Sequence, residues 1–201
     1  MAKLLTSRGL SAEILDPSQA PITSGGLALI RTKNHYLGAT YAALFRNAIN
    51  SAHAIANALN RLYWLPKFGP PFAAISSEDV VEKIELKPPW LLATAWRLGL
   101  DSVVTSVEGA KSVIEHRNYM RNPLAKATIV MQKPLEVKRV FAVAGAVDGL
   151  AGEALRALGL KYAEVAVGVY GSGEYIVDID PIPDLDEARA KLLAELVLEE
   201  A

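Results

Sequence analysis

EVAVGVYGSGEYIVDID, residues 164–180, alternates apolar and polar side chains on both sides of Gly171, Ser172 and Gly173. Alternation of this kind marks a strand with one covered face, and glycines at the centre are what a tight reversal requires. The stretch reads as a β-hairpin. Just before it, residues 126–132 and 136–144 read as two strands joined by the turn QKP, and DGLAGEALRALG, 148–159, reads as a helix with Asp148 as its cap. After the hairpin, DLDEARAKLLAELVLEE closes the chain as an amphipathic helix with acids at its start.

Toward the N-terminus the signals change period. A short opening element is followed by a turn-rich loop, DPSQAPITSGG at 16–26, and LALIRT at 27–32 fits a short strand. Leu37, Tyr41, Leu44, Phe45, Ala48, Ile49, Ala52, Ile55, Ala56, Leu59 and Leu62 then recur at helical spacing. They predict one long helix from about Leu37 to Trp64, ended by Pro66. PKFGPP, 66–71, is a rigid basic and aromatic loop. Residues 76–87 leave helix and strand open, with Ser76 and Ser77 available as a cap. PPWLLATAWRLG, 88–99, predicts a short helix with proline in its first turn and Gly99 as its stop. The organisation expected is one α+β domain over 1–201, with room for a helical subregion at 34–122 inserted between or preceding the strands.

The chain has 201 residues, 51% of them hydrophobic and 21% charged, which suits a folded globular protein. The absence of cysteine excludes disulfides, thiolate metal sites, iron–sulfur clusters and a cysteine nucleophile, and points to a cytoplasmic protein. No apolar run reaches the length of a membrane span, so no membrane partner is expected. Net charge is −1, but it is unevenly placed. Pro17 to Ser77 holds no aspartate or glutamate, yet carries Arg31, Lys33, Arg46, Arg61 and Lys67 and seven of the fourteen aromatic residues. Residues 134–201 hold thirteen acids against six bases. An acid-free stretch with interleaved rings suits a polyanion, since guanidinium and ammonium groups neutralise phosphates and rings stack on bases. Burial alone is the other reading of the stretch, and it explains the aromatics better than the positive charges.

Specific chemistries can be tested against spacing. GSG lies between two strands, so it is neither a nucleotide-hydrolase loop nor a dinucleotide fingerprint, and Gly145, Gly149 and Gly152 are wrongly spaced for the latter. His35, His53 and His116 form no pair at ligand spacing. Asp178 and Asp180 alternate to one strand face as hard-cation ligands could, although solvent-facing acids are the commoner explanation. No metal and no cofactor is expected. Arg46 and His53 stand seven apart, about two helical turns, with Asn50 and Asn57 on the same line. That spacing falls within the loose pattern of HEPN ribonucleases. Asparagine is a poor helix former, so this row reads as fixed hydrogen-bonding groups rather than a wet face.

Three stretches resemble the RAMP-type subunit of archaeal type I CRISPR surveillance (Cascade) complexes that holds the 5′ handle of the guide RNA. They are LLATAWRLGLDSVVTSVEG at 91–109, EVAVGVYGSGEYIVDI at 164–179 and YLGATYAALFR at 36–46. The resemblance implies an antiparallel sheet with a ferredoxin-like core, here joined to a long helix in the N-terminal half and a C-terminal hairpin followed by a helix. It implies a non-catalytic, RNA-binding role in antiviral defence, with guide RNA and other protein subunits as partners. Arg31, Lys33, Arg46, His53, Arg61, Lys67, His116, Arg117 and Arg121 are the candidate RNA contacts, chosen by charge and position. The IEHRNYMRNP patch at 114–123 supplies the last three. Two alternatives stay open: a HEPN-like nuclease using Arg46 and His53, and a self-assembling coat-like protein built on the alanine-rich helix.

Overall fold

A computed structural model describes residues 2–12, 14, 26–75 and 78–201; most of the expected loop at 16–26 and the Ser76–Ser77 cap lie outside them. In chain order the elements are α1 (Ala2–Ser7), β1 (Leu27–Ala28), α2 (His35–Leu44), β2 (Asn47–Ala48), α3 (Ala52–Leu59), α4 (Arg61–Phe68), β3 (Phe72–Ile75) and a 3₁₀ turn (Glu78–Lys83). There follow β4 (Trp90–Thr94), β5 (Ser102–Val104), α5 (Val107–Tyr119), a second 3₁₀ turn (Pro123–Ala125), β6 (Thr128–Gln132) and β7 (Glu136–Val143). The chain ends with α6 (Gly149–Leu158), β8 (Tyr162–Tyr170), β9 (Gly173–Asp180) and α7 (Glu187–Glu200). Two compact units account for them: Met1–Ala58 with Arg139–Val165 and Ile179–Ala201, and Leu59–Lys138 with Ala166–Asp178.

In the first unit, β1 and β2 form a short parallel pair, Leu27 opposite Asn47 and Ala28 opposite Ala48. The core gathers Leu5, Ile49, Val143, Tyr162, Leu193, Ala194, Leu196 and Val197. α6 ends where Gly159 takes φ +70, a left-handed conformation that glycine adopts without cost and that lets its N–H close onto Arg156 O. Gly38 meets a different demand. A Cβ there would stand 2.2 Å from Ile182 Cδ1, so the residue is small because the chain passes it closely.

In the second unit, four strands form an antiparallel sheet in the order β3-β6-β4-β5. Registers such as Ala73 with Val130, Leu92 with Val130 and Trp90 with Val104 put an apolar layer on one face. That face packs on α5 through Trp90, Leu92, Val104, Ala110, Ile114 and Val130. The three-stranded sheet β7-β8-β9 contributes residues to both units.

Several expectations are corrected here. The single helix from Leu37 to Trp64 is three helices, α2, α3 and α4, interrupted by β2 and by Asn60. Each break carries its own cap. Asn34 accepts from the N–H groups of Tyr36 and Leu37, Ser51 from Ala54 at 3.1 Å, and Asn60 from Leu62 at 3.2 Å. Side-chain oxygens that satisfy the first turn make a new start cheaper than a continued helix. Pro66 does not end the run but lies inside α4, near its last turn. The helix expected at 88–99 is the strand β4, whose backbone bonds to β5 on one side and β6 on the other. A short, nearly all-apolar run reads the same for a covered strand as for a covered helix. The sheet is not ferredoxin-like either. In that fold the first and third strands are central, whereas here the second and fourth, β4 and β6, hold the middle. The long helix on which a coat-like assembly would depend is absent among the described residues, and so is any helix long and apolar enough to cross a membrane.

Candidate functional site

The densest group of charged side chains described in the second unit is built around the start of α4. An antiparallel bridge between Asn60 and Trp96 sets it, with Arg61 N–H donating to Ala95 O at 2.8 Å and Arg97 N–H to Leu59 O at 2.9 Å. This backbone lock fixes where both arginine side chains begin.

Arg61, only 1% exposed, then uses its fork fully. Nη1 donates to Thr94 O at 2.9 Å and Asp101 Oδ1 at 3.1 Å; Nη2 donates to Asp101 Oδ2 at 2.7 Å and Asp178 Oδ1 at 2.9 Å. Its Nε is buried without a partner. Arg97 completes the group through Nε to Asp178 Oδ2 at 3.0 Å, so both oxygens of Asp178 are engaged by guanidinium. Burial pushes the Asp178 carboxyl up, but Arg61 and Arg97 outweigh it and hold the group below its ordinary value.

Arg117, on α5, is the other buried arginine. It donates to Ala93 O at 3.2 Å, Thr128 Oγ1 at 3.1 Å, Leu92 O at 3.2 Å and Leu100 O. Burial lowers its pKa, Asp101 opposes that change, and the charge of Arg61 adds to it.

The nine residues chosen from sequence are divided between the units, Arg31, Lys33, Arg46 and His53 in the first and Lys67, His116, Arg121 with Arg61 and Arg117 in the second. Only Arg61 and Arg117 are brought near each other by a shared environment. Lys33, Arg46, His53, Lys67, His116 and Arg121 are exposed. Arg31 donates to Pro183 O at 2.5 Å, and Lys67 Nζ stands 4.9 Å from the Phe68 ring centre. Arg46 lies in the turn after α2 while His53 lies on α3, so the helical line that the nuclease alternative needs does not exist.

Asn50 is a buried structural bridge of the first unit. Its amide donates to Tyr162 O and Pro181 O, both at 2.9 Å, and its oxygen accepts from the N–H of Lys161 at 2.8 Å and of Tyr162 at 3.4 Å. Asp180 accepts from His35 Nε2 at 2.8 Å and from the Ile182 N–H at 2.9 Å. Sequence reasoning passed over Arg97 and Asp101. The available signal was a lone charge inside an apolar run, WLLATAWRLGL, with an acid directly after it.

No protein-family model matches the sequence, and no curated protein matches it. Solved structures do. A RimK-domain ATP-grasp protein from Sphaerobacter thermophilus superposes with a TM-score of 0.76 at 20% identity, over 98% of this chain and 93% of that one. The ATP-grasp ligase PsnB, solved with precursor peptide PsnA2 and AMPPNP, gives 0.69 at 11% identity over 99% and 92%. D-alanine–D-alanine ligase from Bacillus anthracis gives 0.51 at 9% identity over 75% and 68%. The chain has the ATP-grasp fold. This overturns the RAMP resemblance and its ferredoxin-like core, and with them the non-catalytic, guide-RNA-holding role in a CRISPR ribonucleoprotein: the solved structures it resembles are an ATP-grasp protein and ligases. The sequence stretches that suggested RAMP membership are a strand-turn-strand pattern and a tryptophan-bearing apolar run, which many α and β folds share.

Proposed function

We propose that this chain is an ATP-using enzyme of the ligase type, and that the Arg61–Arg97 group is where it meets negative charge. What carries the reading is the likeness in fold over 98% of the chain to an ATP-grasp protein. The group adds a chemical reason. A ligase must hold phosphate oxygens while a bond forms at the expense of ATP, and the planar guanidinium fork matches phosphate and carboxylate alike with two parallel donors. Asp101 at 31% exposure and Arg97 and Asp178 at 19% are the more open members of the network, while Arg61 anchors it from within. Asp101 and Asp178 keep both forks oriented, so that little reorganisation is needed when an anion arrives.

One complex of PsnB holds a minimal precursor, Mg and ADP. The described residues do not offer a ready-made divalent site. Asp101 and Asp178 already spend both of their oxygens on arginine, and among the described residues no three histidines, aspartates or glutamates stand together.

The test is titration of the purified chain with AMPPNP in a calorimeter, followed by measurement of ADP release from ATP with acid-bearing and amine-bearing peptides as acceptors. Saturable nucleotide binding is the expected result. A chain that takes up no heat at millimolar nucleotide is not an ATP-using enzyme.

A further inference from the structure

We infer that the outer edge of β7 is a self-pairing surface: Leu135–Lys138 of one chain lies antiparallel to the same segment of a second copy, with Glu136 opposite Lys138, and the chain associates as a symmetric dimer.

In the sheet β7-β8-β9, β8 covers one edge of β7, and among the described residues no strand covers the other. The Leu135 N–H donates to Val169 O at 2.9 Å, toward β8. Backbone groups alternate in direction along a strand, so those of Glu136 and Lys138 turn to the open edge. Beside them Leu135 is 82% exposed and Val137 45%, on one face of the strand. Large apolar side chains on an open strand edge are what pairing with another strand covers. Leu135–Lys138 and Val169 all belong to the second unit, so the surface is complete within it.

The charges select the occupant. An antiparallel pair sets outward-facing residues against outward-facing residues. With a second copy on this edge, Glu136 can face Glu136, Lys138 can face Lys138, or Glu136 can face Lys138. The first two put like charges directly opposite, which is destabilising, and the last cancels charge on both sides of the two-fold axis. That register is centred on Val137. Val137 then meets its own copy across the axis, and each Leu135 lies diagonal to the other chain's Val137, within reach of contact. A lysine on an edge ordinarily blocks pairing. Glu136, two positions earlier, turns Lys138 from a block into the group that fixes the register. Lys138 Nζ also donates to Glu174 at 2.9 Å, but both side chains are about half exposed, and an ammonium with three donors serves two acids at once.

Sedimentation equilibrium of the full chain, from low to high micromolar concentration, tests the pairing. The mass is expected to rise from 21.6 kDa toward twice that value. Glu136→Lys and Lys138→Glu each bring like charges face to face, and each alone should weaken association by about tenfold or more. Mixed in equal amounts, the two variants again set opposite charges against each other, and a mixed dimer should form with near wild-type affinity. Val137→Lys places like charges on the axis and should weaken association by about tenfold on its own, which keeps the test open if a charge variant does not fold. Thermal unfolding at the wild-type temperature shows that a variant is folded. A wild-type chain that stays at 21.6 kDa throughout overturns the inference and leaves the edge to a different chain. So does a dimer that these substitutions leave intact, or a mixture in which association does not return.

Discussion

Arg61 and Arg117 are both buried, at 1% and 2% exposure, yet they are accommodated in opposite ways. Arg61 is neutralised by two carboxylates; Arg117 is surrounded by three carbonyls and a hydroxyl and meets no carboxylate directly. The first arrangement compensates charge with charge. The second uses the guanidinium as a five-donor clasp tying α5 to β4, to β6 and to the turn before Asp101, with its charge merely tolerated. A buried arginine is therefore not one kind of feature.

The comparison can be broken most forcefully at Arg61. Arg61→Met keeps much of the volume but leaves Asp101 and one oxygen of Asp178 without their guanidinium, and should lower stability by about 3 kcal/mol, read from chemical denaturation. Arg117→Met strands only neutral acceptors, and should cost about 1–3 kcal/mol in the same assay. Equal losses at the two positions would erase the distinction. The smallest effect is one of pH. Asp178 has its folded-state pKa depressed, so its contribution is present above the unfolded value of about 3.9 and is lost as pH falls through the lower folded value. The wild-type chain should lose stability below about pH 4, and Asp178→Asn should flatten that slope, whereas Arg117→Met should leave it unchanged.

The C-terminal third was legible in the sequence because each element there carries its own period and its own punctuation. Alternation around Gly171 to Gly173 became β8 and β9, and Gly159 stopped α6 as a left-handed cap. The region from 37 to 64 was misread because apolar spacing continued across places where the backbone does not. The breaks are marked instead by Asn34, Ser51 and Asn60, each the kind of residue that opens a helix, which apolar spacing does not register. Asn50 does grip, though it grips the chain's own backbone. The candidate site was illegible for a different reason. Arg61 and Asp178 lie 117 positions apart, and nothing local to either announces the other. Asp178 did attract notice as a hard-cation ligand; the arginines that occupy it could be found only in three dimensions.

Asn50 carries a vulnerability of its own. Its carboxamide faces two backbone carbonyls with its nitrogen and two amides with its oxygen. Spontaneous hydrolysis of that amide to an acid would preserve the accepting half and set negative oxygen against the two carbonyls. Chemical ageing at one interior atom would thus loosen the joint between the start of β8 and the segment after β9, with no change in the encoded sequence.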